Sequence, residues 1–261
     1  MIKGLAHALR NLLKKDARLV RTESEWASVF TVEGPQGDVR VLDVGGGYQS
    51  ATYLGKRRFQ PVFEYYRTFD AAFMHPHPMH RVLMIGGAGC AWPKHAATSH
   101  PGVVVDVVEE DSRIIDIARE YFFVGELERE GRLRLIAAEG RSYFESSKCS
   151  YDAILNDAFR GIMPARELAT VEAAESIARR LNPGGLYLSN IVSKSDGRDI
   201  GFLCDAAASL REVFPYVQVI PCPDAVYSDE DNFLVAASFD ELDLPCALPF
   251  DEGFAGRPLH D

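Results

Sequence analysis

Four turns in this chain carry glycines or acids at the ends of short apolar runs, where such side chains can hold a small polar molecule. Residues 82–85 lead into Gly86-Gly87-Ala88-Gly89-Cys90 and a helical stretch. Glycines at such a place let the backbone approach a ligand and present N–H groups at a helix start, although packing alone also selects them. Residues 103–108 lead into Glu109-Glu110-Asp111. A carboxylate one strand-helix-strand passage after a glycine turn can accept hydrogen bonds from both hydroxyls of a ribose, so Glu109 is the ribose candidate and Asp111 a helix cap. Residues 133–137 end at Ala138-Glu139-Gly140, where Glu139 either meets an adenine amino group or simply starts a helix. Residues 153–156 deliver Asp157 to the carboxyl edge of a central strand, where ligands of open α/β sheets sit.

Other residues admit two readings. Tyr65 and Tyr66 offer aromatic faces to an ammonium group or serve as helix packing. His75, His77 and His80 lie in His-Pro-His-Pro-Met-His, but the prolines fix an extended entry into the first strand and no Cys or acid spacing accompanies them, so no metal is expected. Cys90 has no basic neighbour in the sequence and reads as a small buried thiol.

These turns need a scaffold, and the periodicity supplies one. Short strand-like runs at 19–20, 29–32, 39–42 and 51–54, separated by glycine-rich turns, predict a small antiparallel β-unit. A helical bridge over 63–74 follows. Strands at 82–85, 103–108, 133–137, 153–156 and 185–191 then alternate with helices at 94–99, 113–121, 171–180 and 197–213, which predicts a doubly wound, mostly parallel α/β sheet. Runs at 216–220 and 232–237 have no helix between them, so the seventh and last strand is reversed. That feature separates the class I methyltransferase-like fold from the nicotinamide-binding one. The expected division is 1–60 for an N-terminal helix and small β-domain, and 61–261 for a Rossmann-like domain that binds S-adenosylmethionine.

With 261 residues, 47% of them hydrophobic, the chain can fill a sizeable core. It has no apolar run of about 20 residues, and Ile2, Leu5, Leu9, Leu12 and Leu13 read as the packed stripe of an amphipathic terminal helix, so no membrane partner is expected. A formal charge of −10 argues against a nucleic-acid partner and tolerates a cationic substrate. Five widely spaced cysteines without a CxxC pair fit a reducing cytoplasm.

Together the four turns resemble those of the spermidine synthase-like family. Its glycine-rich first loop, Val-Glu-x-Asp, Gly-Asp-Gly and Tyr-Asp-strand-Asp elements read here as Gly86-Gly87-Ala88-Gly89, Val108-Glu109-Glu110-Asp111, Ala138-Glu139-Gly140 and Tyr151-Asp152 through Asp157. Tyr48-Gln49-Ser50 is similar to the family's nucleoside-covering element, and Leu181-Asn182-Pro183-Gly184-Gly185 to a bacterial branch. The resemblance implies a homodimeric polyamine aminopropyltransferase, with decarboxylated S-adenosylmethionine as donor and a small amine as acceptor. It implies Asp157 as general base, Gln49, Gly86, Gly87, Gly89, Glu109, Glu139 and Gly140 around the donor, and residue 160 at the acceptor, where the aromatic faces of Tyr65 and Tyr66 are also candidates. Two positions depart from the pattern. Gly89 stands where the family has an acid that grips the donor's amine, and Arg160 where it has a second acid that holds the diamine. An arginine there can pair with a carboxylate, including that of ordinary S-adenosylmethionine, so methyl transfer to a small molecule, or a silent nucleoside-binding homologue, is the alternative.

Overall fold

The structure is a computed structural model that describes residues 2–160, 163–194, 200–222, 230–249 and 256–261. Helix α1 (Ile2–Asn11) precedes four strands, β1 (Lys15–Arg21), β2 (Trp26–Val32), β3 (Val39–Val44) and β4 (Gly47–Tyr53), which pair antiparallel in that order. Among the described side chains of α1, Ala8 and Asn11 are buried, and the Asn11 amide donates to Ser28 Oγ at 2.8 Å; the side chains of Ile2 and Leu5 lie outside the described residues. Leu9, Leu12 and Leu13 are exposed, so the packed stripe expected from the sequence is corrected at these three positions. Ser28 is a buried polar residue, and the amide of Asn11 meets its hydroxyl as no leucine could.

The bridge expected over 63–74 is one helical turn, α2 (Tyr65–Thr68), continued by a 3₁₀ segment, Phe69–Met74. After it come β5 (Arg81–Ile85), α3 (Ala91–Ser99), β6 (Val104–Glu109), α4 (Ser112–Tyr121), α5 (Val124–Arg129), β7 (Leu133–Ala137), α6 (Gly140–Ser146) and β8 (Tyr151–Asn156). The two-residue strands β9 (Phe159–Arg160) and β10 (Met163–Pro164) form a small ribbon. Then follow α7 (Val171–Ala178), β11 (Leu181–Lys194), α8 (Gly201–Arg211), β12 (Tyr216–Cys222), β13 (Glu230–Ser238) and the two-residue β14 (Leu248–Pro249). Helices α5 and α6 are additions to the sequence reading; each is under two turns, too short to show a clear apolar period.

The large sheet has the order β14-β12-β13-β11-β8-β5-β6-β7. Strand β13 runs antiparallel to both neighbours, β11 and β12, whereas β11, β8, β5, β6 and β7 are mutually parallel. This is the expected seven-stranded methyltransferase-like sheet with its last long strand reversed, extended at one edge by β14. The register levels the strand ends: Ile85 is opposite both Asn156 and Val108, and Ser189 is opposite Asn156. The residues that follow, Gly86, Glu109, Asp157 and Asn190, therefore emerge side by side.

Alternation along the strands sorts the two faces. Leu155, Leu186 and Leu188 belong to a core shared with Tyr66, Phe69 and Trp92 and with Ala27, Val29 and Leu42 of the small sheet. Ile154, Tyr187 and Ile191 face the opposite core with α8 residues such as Leu203 and Ala207. Lys94 of α3 is buried where the small sheet meets the glycine turn. Its ammonium donates to Phe122 O at 2.7 Å and Thr52 Oγ1 at 3.1 Å, and burial pulls its pKa down to about 7.

The histidines tie the entry of β5 to neighbouring elements. His75 Nε2 lies 3.0 Å from Gly184 O, His77 Nε2 lies 3.0 Å from Asp240 Oδ2, and the backbone N–H of His80 donates to Asp152 Oδ2 at 2.8 Å. Among the described residues no helix is long and apolar enough to cross a membrane.

Candidate active site

A cleft of about 780 Å³ opens over the levelled strand ends, within the usual size range for small-molecule sites. Its walls bring together Gln49 of β4, Tyr65 of α2, Gly86 and Gly87, Glu109, Glu139 and Gly140, and Asp157. Seven carboxylate residues line it, Glu25, Glu109, Glu110, Asp111, Glu139, Asp157 and Glu167, and no Lys, Arg or His is among its described lining residues. Low-dielectric walls carrying one sign of charge concentrate the opposite sign, so the cleft favours cations.

The carboxylates are not equivalent. Asp111 caps α4 as expected, its Oδ1 accepting from the N–H of Arg113 at 3.0 Å, while its Oδ2 accepts from the N–H of Glu23 at 2.9 Å. Glu139 caps α6: Oε1 accepts from the N–H of Arg141 at 2.8 Å, and Oε2 from the N–H and hydroxyl of Ser142 at 2.8 and 2.9 Å. Of the two readings of Glu139, the structure displays the helix start. Glu109 reaches back to the glycine turn, accepting from the N–H of Ala88 at 3.2 Å and from that of Asp111 at 3.2 Å. Burial raises its pKa, opposed by these hydrogen bonds. The turn it braces is strained, with Ala88 at φ 40° and Cys90 at φ 55°. Strain of this kind persists where surrounding structure enforces it, often at ligand sites.

Asp157 has a different environment. Its Oδ1 accepts from the Asn190 amide at 2.7 Å and its Oδ2 from the Tyr65 hydroxyl at 3.4 Å. Burial pushes its pKa up to about 7, while the neutral donors Asn190, Tyr65 and Tyr66 pull the other way. Desolvation wins because no cation faces it among these partners. Tyr66 is fully buried, its ring centroid 4.2 Å from that of Tyr65, so Tyr65 lines the cleft and Tyr66 supports it from behind. Cys90 is also buried, and burial raises its thiol to about 12, which leaves it protonated and inert.

Two positions named from the sequence need further comment. Gly89 does not line the cleft; it is buried behind the turn, and a Cβ there would lie 2.7 Å from both Ser50 Oγ and Phe122 Cδ1. The structure thus sets Gly89, expected near the donor, against Ser50 and Phe122 and not among the cleft-lining residues. Arg160 has its backbone in β9, paired with Met163, and its side chain lies outside the described residues. Sequence reasoning passed over Asn190, whose signal was the polar pair Ser189-Asn190 inside the apolar run 186–192.

A family model described as the Spermine/spermidine synthase domain matches residues 67–237, the segment that holds β5 to β13 and Asp157. The chain belongs to this family. Within the spermine/spermidine synthase family it is similar to Polyamine aminopropyltransferase of Thermococcus kodakarensis, 26% identical over 261 residues, which covers 95% of this chain and 87% of that protein. It is also similar to Putrescine N-methyltransferase 2 of Nicotiana attenuata, 28% identical over 142 residues, 53% of this chain and 37% of that one. The chain spans about two fifths of the length of such plant relatives. Among solved structures, a probable spermidine synthase from Corynebacterium glutamicum superposes with a TM-score of 0.78 at 25% identity, covering 94% of this chain and 96% of that one. The spermidine synthase relatives are transferases.

Proposed function

We propose that this family member transfers an aminopropyl group from decarboxylated S-adenosylmethionine to a small amine. The observation that carries the reading is Asp157, a buried carboxylate with a pKa near 7 beside a cation-favouring cleft of nucleoside size. An incoming ammonium supplies the counter-charge that Asp157 lacks, then gives it a proton and becomes a neutral amine. The amine lone pair attacks the carbon bonded to the sulfonium, the C–S electron pair returns to sulfur, and a thioether nucleoside and a new substituted ammonium result. A sulfonium is already a good leaving group, so alignment and proton removal are the protein's main tasks. Glu109, Gln49, Gly86 and Gly87 line the end suited to the nucleoside.

Methyl transfer from ordinary S-adenosylmethionine is the second reading, and the similarity to Putrescine N-methyltransferase 2 of Nicotiana attenuata supports it. Calorimetry with both donors separates the two: tighter binding of the decarboxylated form, with an aminopropylated amine as product by mass spectrometry, is expected. Preference for the carboxylated donor and a methylated product would reverse the assignment. The family resemblance further supports a homodimer. A reducing compartment is supported by five unpaired cysteines.

Two results are expected here. The amine kcat/KM should rise with pH through about 7, because Asp157 must be ionised to accept a proton. A profile flat from pH 5.5 to 8, measured with saturating donor, contradicts that role. Glu109→Ala should weaken nucleoside affinity roughly tenfold or more, by about 1–3 kcal/mol, as ribose hydroxyls lose a charged acceptor. Unchanged affinity by calorimetry removes Glu109 from the donor site.

A further inference from the structure

Asp157 owes its position in part to Asn190, which reaches it from the next strand. Parallel pairing places Ser189 of β11 opposite Asn156 of β8, so the following residues, Asn190 and Asp157, stand on one face as neighbours. The amide of Asn190 spends Nδ2 on Asp157 Oδ1, at 2.7 Å. Its Oδ1 is buried and has no hydrogen-bond partner, and the residue is only 4% exposed while lining the cleft. A buried carbonyl oxygen without a donor is costly, and such atoms are rare outside places where a ligand completes them. The orientation of this amide is itself fixed by chemistry, since exchanging its O and N would set two acceptors against each other whenever Asp157 is ionised.

We infer that Asn190 Oδ1 receives an N–H of the acceptor amine, so that Asn190 positions the attacking nitrogen and selects primary amines over secondary ones. The inference rests on the transfer reading above. A neutral primary amine has two N–H bonds and one lone pair. Once the proton has passed to Asp157, rotation about the C–N bond sets one N–H on the Asp157 carboxyl and the other on Asn190, and frees the lone pair toward the donor carbon. A secondary amine has a single N–H once deprotonated, so it leaves one of the two acceptors unmet. An alcohol has one O–H and is discriminated against in the same way.

The test compares propylamine with N-methylpropylamine on the full chain. Each is measured twice, by single-turnover transfer with decarboxylated S-adenosylmethionine and by calorimetric affinity in the presence of 5′-methylthioadenosine. In transfer, wild type should favour the primary amine about tenfold or more, the scale of one hydrogen bond unmet by the neutral secondary amine. Asn190→Leu, of similar size and without polar atoms, should bring the ratio toward one and also move the acidic limb of the rate profile upward, because Asp157 loses a donor. Asn190→Asp keeps an oxygen toward the amine but places a second carboxylate beside Asp157. It should retain the preference for the primary amine while moving the limb upward still further.

A wild-type ratio near one, or a ratio unchanged in Asn190→Leu, overturns the inference, since steric exclusion of the methyl group alone would survive that substitution. Should Asn190→Leu fail to fold, the wild-type ratio and Asn190→Asp decide it, loss of selectivity in the latter counting against. A chain that transfers nothing to either amine loses the transfer reading, yet affinity still decides the role of Asn190: propylammonium should bind wild type about tenfold or more tighter than Asn190→Leu, and equal affinities count against it.

Discussion

Asp157→Asn is expected to lower turnover roughly 100-fold or more while leaving donor affinity nearly unchanged, the scale usual for a lost general base. Asparagine keeps the size of the side chain and can still bond Asn190, so the loss isolates proton acceptance from shape. The same substitution should stabilise the fold at alkaline pH. Asp157 titrates at about 7 in the folded protein, above the ordinary aspartate value of 3.8. Between these values the folded chain retains a proton that the unfolded chain has released, so stability falls as pH rises from about 4 to 7 and the full cost is felt above that window. Removing the ionisable group removes the cost, on the order of 2–4 kcal/mol, so the Tm gain of Asp157→Asn should be large at pH 8 and small at pH 4. Loss of donor binding with turnover intact would falsify the assigned role, and equal Tm shifts at both pH values would refute the burial of an ionised carboxylate.

Gly86→Ala should be comparably damaging for a different reason. Gly86 has φ +72°, and a Cβ there would lie 2.6 Å from both Ala158 Cα and Asp157 O and 2.8 Å from Ala158 N. All three are backbone atoms, so no side-chain rotation relieves the contact; the end of β8 must move and carry Asp157 with it. Left-handed backbone alone costs alanine about 1–2 kcal/mol, and the steric term should bring the total to roughly 3 kcal/mol or more. A displacement near 1 Å at a reacting group can reduce turnover about 100-fold. Gly102→Ala is the matching control: its φ is +92° but nothing lies within 4 Å of the new Cβ. It should lose only the conformational term in urea unfolding and keep its kinetics. Equal losses in the two variants would mean that strain, and not the contact with the Asp157 backbone, governs Gly86.

The site depends on strand ends from distant parts of the chain. Asp157 and Asn190 are 33 positions apart and touch through one hydrogen bond. Gln49 approaches from the small sheet, and Ser50 beside it packs against Gly89 across the same boundary. The cation preference of the cleft is likewise a sum over acids from Glu25 to Glu167 and belongs to no single motif.

Much of this architecture was legible in the amino-acid sequence by itself. Apolar runs of period two, helices of period 3.6 and glycine or acid at their junctions are local signals, and they yielded the strand succession, the reversed final strand, the Asp111 cap and the convergence of Gly86, Glu109 and Asp157. Tertiary structure alone decided that Glu139 caps a helix and that burial lifts Asp157 to about 7, because the pKa of Asp157 is set by its burial with Tyr65, Tyr66 and Asn190, residues that only folding brings to it. It also decided that Gly89 packs against Ser50 and Phe122, and that Leu9, Leu12 and Leu13 face outward. Patterns along a chain encode which side of an element is apolar; the identity of the atoms it meets, and hence charge and chemistry, depends on contacts between residues that the sequence keeps far apart.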